Sequence, residues 1–225
     1  MKKKIFVIAV VACILSLSIV GTSLAYFTDT EKYTNVFTAG NVEIKLTESV
    51  VEANDAGNLV ATAETTTIDD VDAKKDYGKI FPSQTIAKNP TIVNTGSEDA
   101  YVGAIISIES TKFNTIVADY AIDDFITGLS RYATITYTKT TNGYTLYMIF
   151  NNAIANGGSY TLFEGLKVFD DWDNEEMKNL KDLEIVVNAY ATQVSGFADA
   201  KTALTTAFET KGWDALSPTA IPANP

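Results

Sequence analysis

Carboxylates are the residues in this chain whose clustering could bind a metal ion. Two runs stand out, DDVD at residues 69–72 and DDWDNEE at residues 170–176. Calcium prefers oxygen ligands from such runs and is abundant outside cells. The second run departs from a calcium-binding EF-hand loop, because Glu176 stands where that loop needs glycine and Asp182 where it needs glutamate. We favour a solvated acidic face at the start of a helix, and we predict no metal and no cofactor.

The residue types that most hydrolases use are missing. Histidine is absent from the chain, and the single cysteine, Cys13, lies in an apolar N-terminal segment. The chain therefore lacks the commonest zinc ligand, the usual general base at neutral pH and any Ser-His-Asp triad. Two carboxylates could serve glycoside hydrolysis, but a chance pair among 28 acidic residues carries no information. We predict that the chain is not an enzyme and has no catalytic residues.

Other features that chemistry could use have plainer interpretations. Trp172 and Trp213 could form binding platforms, but we expect them in the core or docking a helix. Gly157 and Gly158 are typical of a turn, since no Lys-Ser/Thr follows them as in a phosphate-binding loop.

The first 25 residues have the pattern of a secretory signal peptide. Three lysines at residues 2–4 precede an apolar run at residues 5–20. That run would be about 24 Å long as a helix, shorter than the ~30 Å hydrocarbon core of a membrane. Ser-Leu-Ala then ends at Ala25, which places small residues at the −3 and −1 positions. We predict cleavage between Ala25 and Tyr26; the alternative is an uncleaved anchor that extends through Phe27.

The net negative charge of the chain argues against nucleic acid and anionic lipid as partners. Cleavage would remove three lysines and no acidic residue, so the formal net charge would change from −11 to −14. Such a chain repels nucleic acid and anionic lipid, which need Lys or Arg to neutralise phosphates. We expect a secreted protein of the extracellular matrix or cell surface, which meets a membrane only as its precursor.

Strand patterns dominate the rest of the chain. The clearest is a hairpin, in which residues 132–139 and 144–150 are rich in Tyr, Thr and Ile and flank an Asn-Gly turn. Further candidate strands lie at residues 42–47, 85–93, 101–109, 160–169 and 183–193. The fold class predicted is mainly β, a jelly-roll-like two-sheet sandwich with a few helical insertions.

The predicted helical insertions lie at residues 116–129, 170–181 and 197–211, the last ending at Gly212. Residues 51–76 are polar and are predicted to be a long surface loop. The predicted domains are a signal peptide at 1–25, one sandwich domain at 26–216 and a disordered tail at 217–225.

Short motifs spread over residues 25–193 resemble the TasA/camelysin family, whose members are exported substrates of a SipW-type signal peptidase. They are AYFTD at 25–29, NVFTAGNV at 35–42, NTG at 94–96, AYV at 100–102, NGY at 142–144, LFEGL at 162–166 and AYATQ at 189–193. Two positions depart from the family pattern: Phe81-Pro82-Ser83 replaces a frequent Pro-Gly, and Gly103 replaces a frequent Arg. The resemblance implies a jelly-roll subunit of extracellular biofilm-matrix fibres. The camelysins are also described as metalloproteases, an activity that this histidine-free sequence does not support.

A chain end freed by cleavage is a candidate for joining subunits. Tyr26, Phe27, Thr28 and Asp29, followed by Val36 and Phe37, are β-prone and partly apolar. A free strand can add to the open sheet edge of a neighbouring copy, and the resemblance implies such donor-strand assembly. The partners expected are other copies of this chain and, during export, the signal peptidase. The alternatives are a strand that folds back into its own subunit, a camelysin-type metalloprotease, or a monomeric adhesin.

Overall fold

A computed structural model describes residues 28–30, 41–67, 77–110, 122–179 and 183–213. The strands are β1 (Thr28–Thr30), β2 (Ile44–Ala53), β3 (Leu59–Thr67), β4 (Thr85–Ala87), β5 (Thr91–Asn94), β6 (Ala100–Glu109), β7 (Ile126–Thr127), β8 (Ala133–Lys139), β9 (Gly143–Phe150), β10 (Ser159–Thr161), β11 (Gly165–Lys167) and β12 (Glu184–Gln193). The helices are α1 (Ile122–Phe125), α2 (Asn174–Asn179) and α3 (Ala200–Ala207), which a 3-10 turn follows at Glu209–Lys211.

These strands form two sheets. The first sheet has the order β1-β12-β6-β9-β8, and all of its neighbours are antiparallel. The second has the order β10-β5-β2-β3-β4-β11-β7, with β3 and β4 parallel at a single pair, Leu59 and Ile86. The predicted mainly β, two-sheet sandwich with few helices is confirmed.

The main core lies between the sheets because the central strands alternate. In β6 the even-numbered residues, such as Val102 and Ile106, are fully buried, and in β9 Leu146 and Met148 are as well. Successive side chains of a strand point to opposite faces, so the odd-numbered residues of β6 and β9 lie on the outer face of the first sheet. In β12 the outer face carries the even-numbered residues. There Tyr190, Leu204, Phe208 and Trp213 form a second, smaller cluster, in which α3 covers the outer face of β12 and β6.

Several local predictions are confirmed. The hairpin forms as β8 and β9, and its strands pair from Ala133 opposite Phe150 to Lys139 opposite Tyr144. The last predicted helix forms as α3 with the 3-10 turn, and Gly212 ends it with φ +80°. Asp199 caps α3 by accepting a hydrogen bond from the Thr202 amide, which lowers the pKa of that carboxyl.

The predicted loop at residues 51–76 is wrong as far as Thr67. The chain continues β2 to Ala53, turns, and returns as β3, which pairs with β2. Asn54 makes this turn, since its side-chain oxygen accepts hydrogen bonds from the Ala56 and Asn58 amides. β3 is polar and mostly exposed, so it lacks the apolar alternation by which a strand is recognised, although threonine favours strands.

Two further predictions need correction. The single strand predicted at residues 85–93 is two strands, β4 and β5, which lie at different places in the second sheet. The segment predicted at 160–169 likewise divides into β10 and β11. Of the helix predicted at 116–129, the described part is helical only in α1; Ile126 then pairs with Leu166, and Gly128 has φ +70°. Strand pairing with β11 therefore overrides the helical spacing of the apolar residues.

Candidate assembly site

The outer edge of β12 is the place where the N-terminal segment meets the sandwich. β12 pairs with β6 along all ten of its residues. On its other side β1 pairs with it antiparallel, with Thr28 opposite Thr192, Asp29 opposite Ala191 and Thr30 opposite Tyr190. Within the described residues no other strand borders this side of β12. The place beside β12 is thus filled by the N-terminal segment.

Both faces of β12 carry apolar side chains. On the inner face Ile185, Val187 and Ala189 are partly buried against the main core, whereas Ala191, opposite β1, is fully buried. On the outer face Val186 is 40% exposed. The half of β12 that β1 does not reach is therefore less covered than the half that it does, and a longer strand there would bury more apolar surface.

The outer face beside β1 is built by α3. The ring of Tyr190 lies edge-on to Phe208 and Trp213, with centroids 5.1 and 5.5 Å away. Burial, and then the neighbouring Tyr147, raise the pKa of the Tyr190 hydroxyl. Thr192 is fully buried, and its hydroxyl has no hydrogen-bond partner in the described structure. This end of β12 is therefore buried and well packed.

Of the residues predicted to form the cleavage site and the donor strand, the structure describes two. Thr28 and Asp29 lie in β1, beside β12 of their own chain. The predicted cleavage site and the remaining predicted donor residues lie outside the described residues: Ala25, Tyr26, Phe27, Val36 and Phe37.

The acidic runs give no metal-binding group in the part of the chain that is described. No three His, Cys, Asp or Glu residues gather there in a way that could hold a metal ion. Residues 69–72 lie outside it, and in the second run Asp171 and Asp173 are exposed. The predicted core roles of the tryptophans are confirmed: Trp172 is buried against Phe125 and Phe169, and Trp213 against Tyr147.

A buried polar cluster was missed by sequence reasoning. Lys88 Nζ lies 3.1 Å from Oε1 and 3.4 Å from Oε2 of Glu48, and the Tyr77 hydroxyl donates a 2.7 Å hydrogen bond to Oε1. Glu48 is 3% exposed and Lys88 8%. Burial and then the Glu48 charge raise the pKa of Tyr77, so that its hydroxyl remains a donor.

The next residues along both strands extend this cluster. The Asn89 side chain accepts a hydrogen bond from the Ser49 amide and donates one to the Ser49 hydroxyl. A signal existed in the sequence, because Glu48 continues the inward alternation of Ile44 and Leu46. One carboxylate held by a lysine and a tyrosine does not supply the acid and base pair of a glycoside hydrolase.

The cluster has a structural role instead. Its contacts attach β2 to the connection between β4 and β5.

An open groove of about 430 Å³ runs beside the single β3–β4 pair. It is lined by both apolar and polar residues, among them Leu59, Val60, Asn58, Thr127 and Glu164. Glu164 is the one ionisable residue among the described residues that line it, and these residues offer no pair of groups for catalysis.

The fold is that of a β-sandwich protein in which, among the described residues, the N-terminal strand forms one edge of the first sheet. The family model of the camelysin metallo-endopeptidases matches residues 1–126, more than half of the chain. The chain belongs to this family, and the resemblance read from its motifs is confirmed. No curated protein and no solved structure matches it significantly. None of the helices in the described residues is long and apolar enough to cross a membrane.

Proposed function

We propose that this chain is a structural subunit of extracellular matrix fibres and polymerises by donating its N-terminal strand to the next copy. The observation that carries the proposal is the pairing of β1 with the outer edge of β12, since cleavage after Ala25 would leave this strand two residues from a new N-terminus. A strand near a free end can leave that place and be replaced by the same strand of a neighbour. The main-chain hydrogen bonds and the register would be the same in both arrangements.

The register of β1 indicates how a donated strand would lie. β1 covers three residues of a ten-residue strand. Continued in both directions, the same register would set Phe27 opposite Gln193 and Val36 opposite Glu184. The segment from Tyr26 to Val36 therefore has the length needed to pair with all of β12.

Apolar burial favours such a contact. An aromatic side chain of ~200 Å² buried at ~25 cal/mol per Å² contributes at most about 5 kcal/mol. Phe27 and Phe37 would together offset much of the entropic cost of ordering a short strand. Because a terminal strand meets a different surface on its neighbour, the contact is heterologous and extends into a filament instead of closing a dimer.

The proposal includes export. Removal of residues 1–25 by a SipW-type signal peptidase would free Tyr26 and place the protein in the extracellular matrix or at the cell surface. The membrane would hold only the precursor.

A second candidate function rests on the name of the family, which is that of a metallo-endopeptidase. For this chain we propose a role without catalysis, because the sequence has no histidine to hold zinc or to act as a base. A monomeric adhesin is the third candidate, and fibre formation separates it from the first.

A disulfide between paired positions tests strand donation. Thr28 and Thr192 are direct cross-strand partners, and such pairs have Cα separations that a disulfide can bridge. The secreted form has no cysteine of its own if cleavage follows Ala25. We expect the double variant Thr28→Cys/Thr192→Cys to give fibres that, once oxidised, run as a ladder of multimers on a denaturing gel without reductant.

The matched control is Thr28→Cys/Thr65→Cys, since Thr65 is exposed on β3 in the other sheet. It should give no ladder. An oxidised Thr28→Cys/Thr192→Cys protein that stays monomeric, with its disulfide inside one chain, would show that the strand folds back and would refute donation.

A further inference from the structure

One long part of this acidic chain contains no acidic residue. Between Asp124 and Glu164 there is no Asp or Glu, although the whole chain has 28 of them. The segment contains β8 and β9, the strands at the far end of the first sheet from β1, and the short strands β7 and β10 of the second sheet. Its basic residues are Arg131 and Lys139. The strands β8 and β9 therefore bring no negative charge of their own into a contact between two copies of this acidic chain.

β8 is an edge strand within the described residues: it pairs with β9 on one side and ends the sheet on the other. It has seven residues, and Ile135, Thr136 and Tyr137 at its centre are only partly buried. Natural edge strands are commonly protected from pairing by charges, proline, bulges or shortness. β8 has an unbroken register with β9, no proline, and its one charge, Lys139, at its end.

The geometry points to a second assembly surface: we propose that β8 pairs antiparallel with β8 of another copy across a two-fold axis at Thr136. In this register Thr136 faces its counterpart, Thr134 faces Thr138, and Ile135 faces Tyr137. The sequence Thr-Ile-Thr-Tyr-Thr alternates threonine with a large apolar side chain, and this alternation is the same in either chain direction. The threonines would form one row on the outer face of the paired strands. On the inner face, Ile135 of each copy would contact Tyr137 of the other and extend the apolar core across the contact.

Charge selects this register over its neighbours. Centring the pair on Ile135 would set Arg131 directly opposite Lys139, and like charges in that position are destabilising. Centring it on Tyr137 would set Ile135 opposite the ammonium of Lys139. Centring it on Thr136 sets Lys139 opposite Ala133 and keeps the two lysines at opposite ends of the pair.

The proposed contact differs from strand donation in symmetry. It uses the same surface on both copies, so it closes a pair, whereas a donated strand extends a filament. β8 and β1 border opposite edges of the first sheet, so one subunit has room for both contacts. A seven-residue edge contact is small and weak in a single pair. Repeated along two filaments, it would hold them side by side through multivalency.

A single cysteine tests the register. In the secreted form, Thr136→Cys should form a disulfide-linked dimer more than about tenfold faster than Thr65→Cys, because pairing raises the effective concentration of the two thiols. Thr65 is an exposed threonine of β3 in the other sheet and serves as the collision control. Thr138→Cys alone should react as slowly as the control. A mixture of Thr134→Cys and Thr138→Cys proteins should form the mixed dimer quickly.

Two outcomes would overturn the inference: Thr136→Cys linking no faster than Thr65→Cys, or Thr138→Cys linking to itself as fast as Thr136→Cys. The readout is independent of strand donation. If donation fails, Thr136→Cys dimers still form; if β8 pairing fails, fibres still form but without this crosslink. Thr136→Glu would place the carboxylates of two copies opposite each other at the axis. This variant should give single fibres instead of bundles, with an unchanged circular dichroism spectrum.

Discussion

Among the buried residues of the described structure, Glu48 and Lys88 are the two that carry a charge. Each continues an inward-facing row, Glu48 after Leu46 and Lys88 after Ile86. Removing two charges from water is costly, and their attraction compensates only when the geometry is good and other hydrogen bonds are made. The Tyr77 hydroxyl and the contacts between Ser49 and Asn89 supply those bonds here. The cluster fixes where the chain leaves β4 and enters β5.

We expect Lys88→Met to lower the free energy of unfolding by about 3 kcal/mol, because it leaves the Glu48 carboxylate buried without its partner. The double variant Lys88→Met/Glu48→Gln should be more stable than Lys88→Met alone. Urea unfolding followed by circular dichroism measures both. Lys79→Met, at an exposed position close by in the chain, is the control and should change stability by less than about 0.5 kcal/mol. A loss for Lys88→Met no larger than that of the control would contradict the role assigned to the pair.

Close packing of α3 on the first sheet depends on one glycine in β6. A Cβ at Gly103 would lie 2.8 Å from the Leu204 side chain and 2.9 Å from the Trp213 ring. A side chain larger than that of glycine would not fit beneath them unless these neighbours moved.

The N-terminal strand contributes less to the fold than the other strands of its sheet. β12 is held by β6 along its whole length, whereas β1 pairs with three of its residues. We expect deletion of residues 26–34 to leave a folded, soluble monomer with a nearly unchanged circular dichroism spectrum. Electron microscopy should show that this protein forms no fibres. A truncated protein that unfolds, or one that still makes fibres, would contradict the donor-strand assignment.

The whole chain is strongly acidic, whereas its β8–β9 hairpin contains no acidic residue. Its composition also bears on the name of its family: a metallo-endopeptidase needs ligands that hold its metal and leave a position for water. If cleavage after Ala25 removes Cys13, carboxylates are the side chains that this histidine-free chain offers as metal ligands. They bind zinc poorly without imidazole or thiolate partners.

We therefore expect the purified secreted protein to cleave casein no faster than buffer, with or without added zinc or calcium. A fluorescent casein assay measures this, and a preparation from a host strain without extracellular proteases removes the main contaminant. Reproducible cleavage that a chelator abolishes and zinc restores would show that the chain is a protease.

Composition and local pattern determined much of this protein from the sequence alone. The absence of histidine is a property of the sequence that no fold can change, and our prediction that the chain is not an enzyme rests on it. The hairpin of β8 and β9 follows from a turn and two flanking strands that are neighbours in the chain, and Gly212 ends the last helix for an equally local reason.

Tertiary structure decided what depends on residues far apart in the chain. β3 is a strand because β2 offers it a partner, and Ile126 leaves the helical pattern because it pairs with Leu166. The buried contact between Glu48 and Lys88 joins residues 40 positions apart, and the sequence shows only that each interrupts an apolar row. The free energy gained from strand pairing and burial exceeds the local conformational preferences of these residues. These features can therefore be identified only from the assembled sheets.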